Sequence, residues 1–136
     1  MDQIAFSVQL PGDYDQSLPI VIEALKAEGF GVITEIDVKA TLRKKLDQDF
    51  RRYIILGACN PPLAHKALES DPLVGLMLPC NVTVEENEKG TLVNLINPEF
   101  LLLSYPAFAK DQTIRDVARD ATERFTRVVS VLNSAT

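Results

Sequence analysis

Two cysteines and a single histidine are the residues of this 136-residue chain best suited to act as nucleophile, base or soft-metal ligand. Cys59 ends the apolar run ILGA and precedes Asn-Pro-Pro, His65 follows six residues later, and Cys80 comes directly after Pro79. A thiol beside an imidazole can form a nucleophilic pair, or it can supply two ligands to zinc or another soft divalent metal.

The position of Cys59 is defined by the two residues that follow it. Asn60 is a favoured N-cap and Pro61 a favoured first helical residue, so Cys59 is expected just outside a helix N-terminus. Amide dipoles at such a position favour the thiolate over the thiol. A packing role remains open, because free cysteine is among the most often buried residue types.

His65 can be placed on its predicted helix by angle. At 100° per residue the apolar arc consists of Leu63, Ala64, Ala67 and Leu68, and His65 lies well to one side of it. The imidazole is therefore predicted outside the core. It either faces a site, as a base or metal ligand, or is simply solvated.

Cys80 belongs to a predicted strand with alternating residues. It shares parity with Val82 and Val84, which predicts an apolar environment for its thiol. Pro79 can interrupt strand pairing and turn Cys80 toward the sheet edge, so a partnership with Cys59 across neighbouring strand ends also stays open.

These observations define three sets of candidate residues. The candidate catalytic pair is Cys59 with His65. The candidate metal ligands are Cys59, His65 and Cys80. The candidate ligand-binding residues are Asn60, Pro61, Cys80 and Asn81. A structural zinc site needs four ligands and these spacings match no zinc-finger pattern, so a metal would need a symmetric site shared by two protomers.

The elements that position these residues begin with an alternating strand at residues 3–10, followed by a predicted helix over 17–28 with Ser17 as N-cap and Gly29 at its end. FGVITEID predicts a second strand, and Asp37 can cap a short helix with a basic face. RYIILGA predicts a central third strand that is apolar on both faces, as in a strand that is covered on both sides or lies at an interface.

The second half of the chain predicts two more strands and two more helices after the Asn-Pro-Pro helix. Residues 76–98 read as two antiparallel strands joined by a hairpin loop at 87–90, where glycine can adopt a positive φ. Asn97 and Pro98 repeat the Asn-Pro pattern, with Asn97 as N-cap and Pro98 as first helical residue, before a short apolar helix or turn. From Asp111 an apolar stripe continues for about 20 residues and predicts a long C-terminal helix.

Composition limits the classes of partner. With 46% hydrophobic residues, 24% charged residues and a net charge of −5, the chain is expected to form one globular domain over residues 1–136, and nucleic acid and membranes are not expected partners. Six of the fourteen cations fall within residues 39–52, which describes either an anion site or a solvated helix face. The N-terminal residues lack the features of a signal peptide, and a cytoplasmic location is expected.

Four segments together resemble a known family. EALKAEGFGVITEIDV, YIILGACNPPLAHKALESDP, GLMLPCNVTVEE and a following NP are similar to domain-of-unknown-function family 302, a set of small bacterial and archaeal proteins. The resemblance implies an α+β fold of β-α-β-β-β-β-α type with short extra helices, like one repeat of the TATA-binding-protein fold. In it a curved antiparallel sheet packs on a long C-terminal helix. It also implies homodimers, and it implies no activity.

Two functional hypotheses follow. The preferred one is a homodimeric binding or interaction module that holds a small ligand or a soft metal at the Cys59-Asn60-Pro61 corner. The alternative is a thiol-dependent enzyme or redox protein that uses Cys59 with His65.

Overall fold

The computed structural model of the chain describes residues 3–134, which form five strands, six α-helices and one 3-10 helix. The strands are β1 (Ala5–Leu10), β2 (Gly31–Asp37), β3 (Tyr53–Cys59), β4 (Cys80–Asn87) and β5 (Gly90–Ile96). The helices are α1 (Tyr14–Ala27), α2 (Val38–Leu46), α3 (Pro61–Ser70), the 3-10 helix (Pro72–Met77), α4 (Pro98–Leu103), α5 (Pro106–Ala109) and α6 (Gln112–Ser134).

All five strands belong to one antiparallel sheet with the order β1-β5-β4-β3-β2, so the sheet is open and β1 and β2 are its edges. The predicted fold class, an antiparallel sheet with a long C-terminal helix and short extra helices, is confirmed. β4 and β5 are joined by the predicted tight hairpin, in which Gly90 has a φ of +128°.

The core lies between one face of the sheet and the helices α1 and α6. The predicted apolar stripe of α6 is confirmed, and its fully or nearly fully buried members are Ile114, Val117, Ala118, Ala121, Phe125, Val128 and Leu132. Seven buried side chains at helical spacing fix the orientation of α6 on the sheet. No helix within residues 3–134 is long and apolar enough to cross a bilayer.

Side-chain caps begin most of the helices where the sequence predicts them. Asp37, Asn60 and Asn97 each accept a hydrogen bond from a backbone N–H in the first turn of the helix that follows. Gly29 has a φ of +84° beyond the end of α1, as predicted for a left-handed glycine.

The predicted start of α1 is wrong. The helix begins at Tyr14, because Asp13 is the N-cap and its side chain accepts from the N–H of Gln16 at 2.8 Å. Ser17 lies one turn inside the helix and is buried. Both residues are favoured N-caps by type. Asp13 comes four residues earlier in the chain, and its side chain binds a free N–H group of the first helical turn, so the helix begins there.

The third strand differs on its two faces. Ile54, Leu56 and Ala58 are buried against the helices, whereas Tyr53 and Ile55 on the opposite face are only half-buried. The sequence predicts a strand that is covered on both sides or lies at an interface. Within residues 3–134 one face is covered and the other stays partly open to solvent.

Candidate functional site

A cavity of about 260 Å³ lies where β3 ends and β4 begins. Its walls come from β3, β4, α3, α4, α6 and the 3-10 helix, and both cysteines face it. The side chains around them are apolar and include Phe30, Ile33, Leu63, Leu68, Leu102, Val117 and Ala121. Ile33 is 61% exposed and Leu68 is 39% exposed, so these two side chains mark the side of the cavity that meets solvent.

The sheet register brings the two cysteines together. Cys59 is the last residue of β3 and Cys80 the first residue of β4, and Cys80 is the direct partner of Ala58. Gly57 permits the close approach of Thr34 on β2 and of Pro79, the residue before β4, since a Cβ there would lie 2.0 Å from Oγ1 of Thr34 and 2.7 Å from Cγ of Pro79. The two cysteines therefore line one cavity at neighbouring strand ends.

An irregularity in the edge strand completes the wall. The pairing of β2 with β3 shifts by one residue between Val32 and Thr34, and the residue left over is Ile33. A bulge of this kind re-aims a side chain. Here it brings Ile33 to the cavity beside Cys59.

Cys80 is buried, as its parity predicts. Its exposed fraction is 6%, and neither cysteine is in a disulfide. Burial, together with the nearby charge of ionised Cys59, raises the pKa of the Cys80 thiol from 9.0 to about 12. Cys80 therefore stays protonated at neutral pH and contributes a neutral, polarizable group to the wall.

This raised pKa gives a testable dependence of stability on pH. The unfolded chain releases the Cys80 proton above pH 9.0 while the folded chain keeps it to about pH 12, so the associated stability is present below pH 9 and lost as pH rises. Between pH 8 and pH 10.5 we expect the free energy of unfolding of the wild-type protein to fall by about 2 kcal/mol more than that of Cys80→Ala. Urea unfolding of both proteins at each pH measures the difference, and parallel curves would contradict the burial of this thiol.

Cys59 is half-buried and lines the same cavity, so it is the more accessible of the two thiols. It lies directly before the Asn60 cap at the N-terminus of α3, which is the predicted placement. Accessibility from the cavity makes Cys59 the thiol that a bound molecule could meet.

Both polar atoms of the Asn60 side chain form hydrogen bonds to the backbone. Its Oδ1 accepts a hydrogen bond from the N–H of Leu63 at 3.3 Å, and its Nδ2 donates to the carbonyl of Glu28 at 3.4 Å. The side chain is buried and packs so closely on Gly29 that a Cβ there would lie 2.8 Å from Nδ2. Asn60 thus lines the cavity as a helix cap whose amide already has partners.

His65 lies outside the cavity. Its side chain is 75% exposed, and its Nε2 is 3.1 Å from Oε1 of Glu69 one turn further along α3. The prediction that the imidazole lies outside the core is confirmed, but the structure does not bring it to the cavity that holds Cys59. The physical reason is the orientation of α3. Its apolar side faces the cavity, and His65 lies on another side of the helix, which faces solvent.

The other two candidate ligand-binding residues are also outside the cavity. Pro61 is exposed at the first position of α3. Asn81 is exposed, pairs with Gly57 and lies on the sheet face opposite Cys80, where it borders a second pocket together with Pro79 and Leu101. Strand alternation separates Asn81 from its neighbour Cys80.

The predicted set of three metal ligands is not assembled in one chain. Cys59 and Cys80 face the same cavity and His65 does not, and within residues 3–134 no group of three histidine, cysteine, aspartate or glutamate side chains is placed to hold a metal ion.

Four of the six cations of residues 39–52 form ion pairs with side chains of the described residues. These four cations lie on exposed or half-exposed surface, and the pairs are Lys39 with Asp49, Arg43 with Asp47, Arg51 with Glu85 and Arg52 with Asp15. This arrangement matches the solvated helix face rather than an open anion site.

Several cavity residues carry no chemical signal in the sequence. Phe30, Leu102 and Val117 come from a loop, α4 and α6, and their types indicate only burial. Apolar periodicity identifies such residues as core and does not tell a filled core from one that leaves a cavity.

Comparison with known proteins identifies the family. The sequence matches the domain of unknown function DUF302 over residues 6–132. The chain belongs to the DUF302 family. Among solved structures, it is similar to an uncharacterized conserved DUF302 protein from Bacillus stearothermophilus, whose crystal structure superposes with a TM-score of 0.81 at 27% sequence identity.

That superposition covers 95% of this DUF302 chain and 98% of the Bacillus stearothermophilus chain. The two proteins therefore share the whole fold described above, including the sheet and α6. No curated protein matches the sequence. The function of this DUF302 protein has to be argued from its own residues.

Proposed function

We propose that this DUF302 protein is a homodimeric binding module that holds a small, uncharged, apolar molecule in the cavity between β3, α3 and α6. The single observation that carries the proposal is the composition of the cavity wall. Among the described residues that line it none has a charged side chain, and the one amide, that of Asn60, is already hydrogen-bonded. A charged ligand would lose its hydration there without gaining a partner.

The volume of the cavity sets the size of the ligand. Apolar cavities of about 150 Å³ stay free of water and bind benzene, which has six heavy atoms. By proportion, a cavity of 260 Å³ accommodates a molecule of about ten heavy atoms. For a compact apolar ligand of that size we expect a Kd on the order of 10 to 100 µM, or about 0.6 kcal/mol per heavy atom.

Naphthalene, with ten carbons and no polar group, is the matched probe for this cavity. We expect equilibrium dialysis to show one naphthalene bound per chain, and Ala64→Phe to weaken binding at least tenfold because the added phenyl group fills the cavity that Ala64 lines. His65→Phe is the matched control, since it places the same phenyl group on the next residue of the same helix but outside the cavity.

The proposal fails if wild-type protein does not bind naphthalene, or if Ala64→Phe and His65→Phe bind it equally well. Circular dichroism of both variants, with a helical signal equal to that of the wild type, verifies that the comparison is between folded proteins.

The homodimer is supported by the edge strand β2. Its outer side has no neighbouring strand among residues 3–134, and Ile33 and Ile36 are 61% and 50% exposed. An edge strand with free backbone groups and exposed isoleucines can pair with another chain.

We expect sedimentation velocity at tens of micromolar to show a dimer for the wild-type protein and a monomer for Ile36→Lys. Ile20→Lys is the control, because Ile20 is exposed to a similar extent, 46%, on α1 rather than on β2. A monomeric wild type, or a dimer that survives Ile36→Lys, would contradict dimerisation through this edge.

The two other hypotheses have less support. A thiol-dependent enzyme or redox protein that uses Cys59 with His65 needs the two side chains in hydrogen-bond reach, whereas the imidazole contacts Glu69. Zinc or another soft divalent metal needs more ligands than the two thiols that share the cavity.

A further inference from the structure

The two cysteines give the cavity a chemical capability that apolar binding alone does not use. They are the groups on its wall that can form a covalent bond to carbon, and they differ in accessibility. Cys80 is buried, with an exposed fraction of 6%. Cys59 is half-buried, so a molecule in the cavity can reach it.

The surroundings of the two thiols leave Cys59 as the one that can react with a molecule in the cavity. Cys80 remains a protonated thiol near neutrality, and a protonated thiol is a poor nucleophile. His65, the histidine of the chain, is engaged with Glu69 outside the cavity and is not available there as a base. Attack by the buried Cys80 on a ligand in the cavity is therefore disfavoured.

On these grounds we infer that the cavity captures apolar α,β-unsaturated carbonyl compounds of about ten heavy atoms, which Cys59 retains as a stable thioether. This inference rests on the proposed function, since the apolar tail must first enter the cavity. Capture then depends on the cavity holding the reactive carbon beside Cys59.

The reaction is a conjugate addition and requires no oxidant or reductant. Cys59 gives its proton to solvent, and its Sγ forms a bond to the β-carbon of the enone. The π electrons of the carbon-carbon double bond move to give an enolate, which takes a proton from water at the α-carbon. The net change is the addition of S–H across the double bond, and all atoms of both reactants are retained.

The test compares two enones that carry the same vinyl ketone. Oct-1-en-3-one has nine heavy atoms and an apolar tail, and but-3-en-2-one has five heavy atoms and no tail. Glutathione reacted with each gives the intrinsic ratio of their rates. Intact-mass measurements over time give the rate at which the protein gains one enone.

We expect the rate ratio of octenone to butenone to be at least tenfold higher for the protein than for glutathione. Cys59→Ser should gain no enone under the same conditions, whereas Cys80→Ala should still gain one. Ala64→Phe should return the ratio to that of glutathione, and His65→Phe should leave it at the wild-type value. An octenone analogue that ends in a carboxylate should lose the advantage, because the cavity wall offers that charge no partner.

Failure of this inference is distinguishable from failure of the proposed function. If naphthalene binds as described but the protein and glutathione show the same rate ratio, Cys59 does not capture ligands held in the cavity, and apolar binding stands alone. Modification mainly at Cys80, or a selectivity that persists in Ala64→Phe, would also overturn the inference.

Discussion

Gly90→Ala is expected to lower the free energy of unfolding by about 3 to 5 kcal/mol. Gly90 has a φ of +128°, which residues with a Cβ rarely adopt. A Cβ there would also lie 2.3 Å from the carbonyl oxygen of Leu10, 2.8 Å from that of Pro11 and 2.9 Å from that of Gly12. All three atoms belong to the backbone, so they cannot rotate away as a side chain would.

Urea unfolding of Gly90→Ala measures this loss, and Gly31→Ala is the matched control. Gly31 also lies in a strand, its φ is not positive, and a Cβ there would have no neighbour within 4 Å. We expect Gly31→Ala to change stability by no more than about 0.5 kcal/mol. A loss below about 1 kcal/mol for Gly90→Ala would show that the hairpin does not pack on the end of β1 as described.

Phe125→Ala is expected to destabilise the protein by about 3 to 5 kcal/mol, the range for loss of a large buried aromatic side chain. Phe125 is completely buried at the centre of the α6 stripe, and its ring centroid is 4.6 Å from that of Phe30. Phe30 lines the ligand cavity, so the space left by the missing ring should join the cavity and loosen its wall.

Phe125→Leu is the matched control for Phe125→Ala. It removes the aromatic ring but keeps a large apolar side chain, so it leaves a much smaller empty space. We expect it to cost about 1 kcal/mol and to preserve naphthalene binding, whereas Phe125→Ala should weaken binding as well as stability. Denaturant unfolding and dialysis of both variants provide the measurements. A Phe125→Ala protein nearly as stable as the wild type would mean that α6 is not seated on the sheet through this residue.

The parts of the fold that the sequence predicts are those determined by local chemistry. Asn60 with Pro61 starts α3, and alternation places Cys80 on the buried face of β4, because each effect acts over a few residues. The same locality explains the error at α1. Asp13 and Ser17 are both competent caps four residues apart, and residue type alone does not decide between them.

The remaining features depend on contacts between distant segments. The positive φ of Gly90 is predictable from the hairpin, but its contact with the carbonyls of Leu10, Pro11 and Gly12 joins segments nearly 80 residues apart. For His65, helical angle correctly predicts a position outside the core. Whether that side of α3 meets a site or solvent depends on where β3, β4 and α6 pack around the helix.

The cavity itself is the feature furthest from sequence reasoning. Its apolar lining comes from segments between Phe30 and Ala121, and every one of those residues would be equally suitable in a filled core. Only the packing of the elements leaves space between them, and the same packing turns two cysteines that are 21 positions apart into neighbours on one wall.

The most direct test of the account follows the alanine methyl groups by NMR while naphthalene is added to protein labelled with carbon-13 at those methyls. Ala58, Ala64, Ala67 and Ala121 line the cavity, while Ala5 in β1 and Ala40 in α2 do not. The account predicts that the four cavity methyls shift together, reach saturation with the Kd found by dialysis, and leave Ala5 and Ala40 unchanged. Cavity methyls that do not move at saturating naphthalene, or shifts concentrated at Ala5 or Ala40, would contradict ligand binding in this cavity.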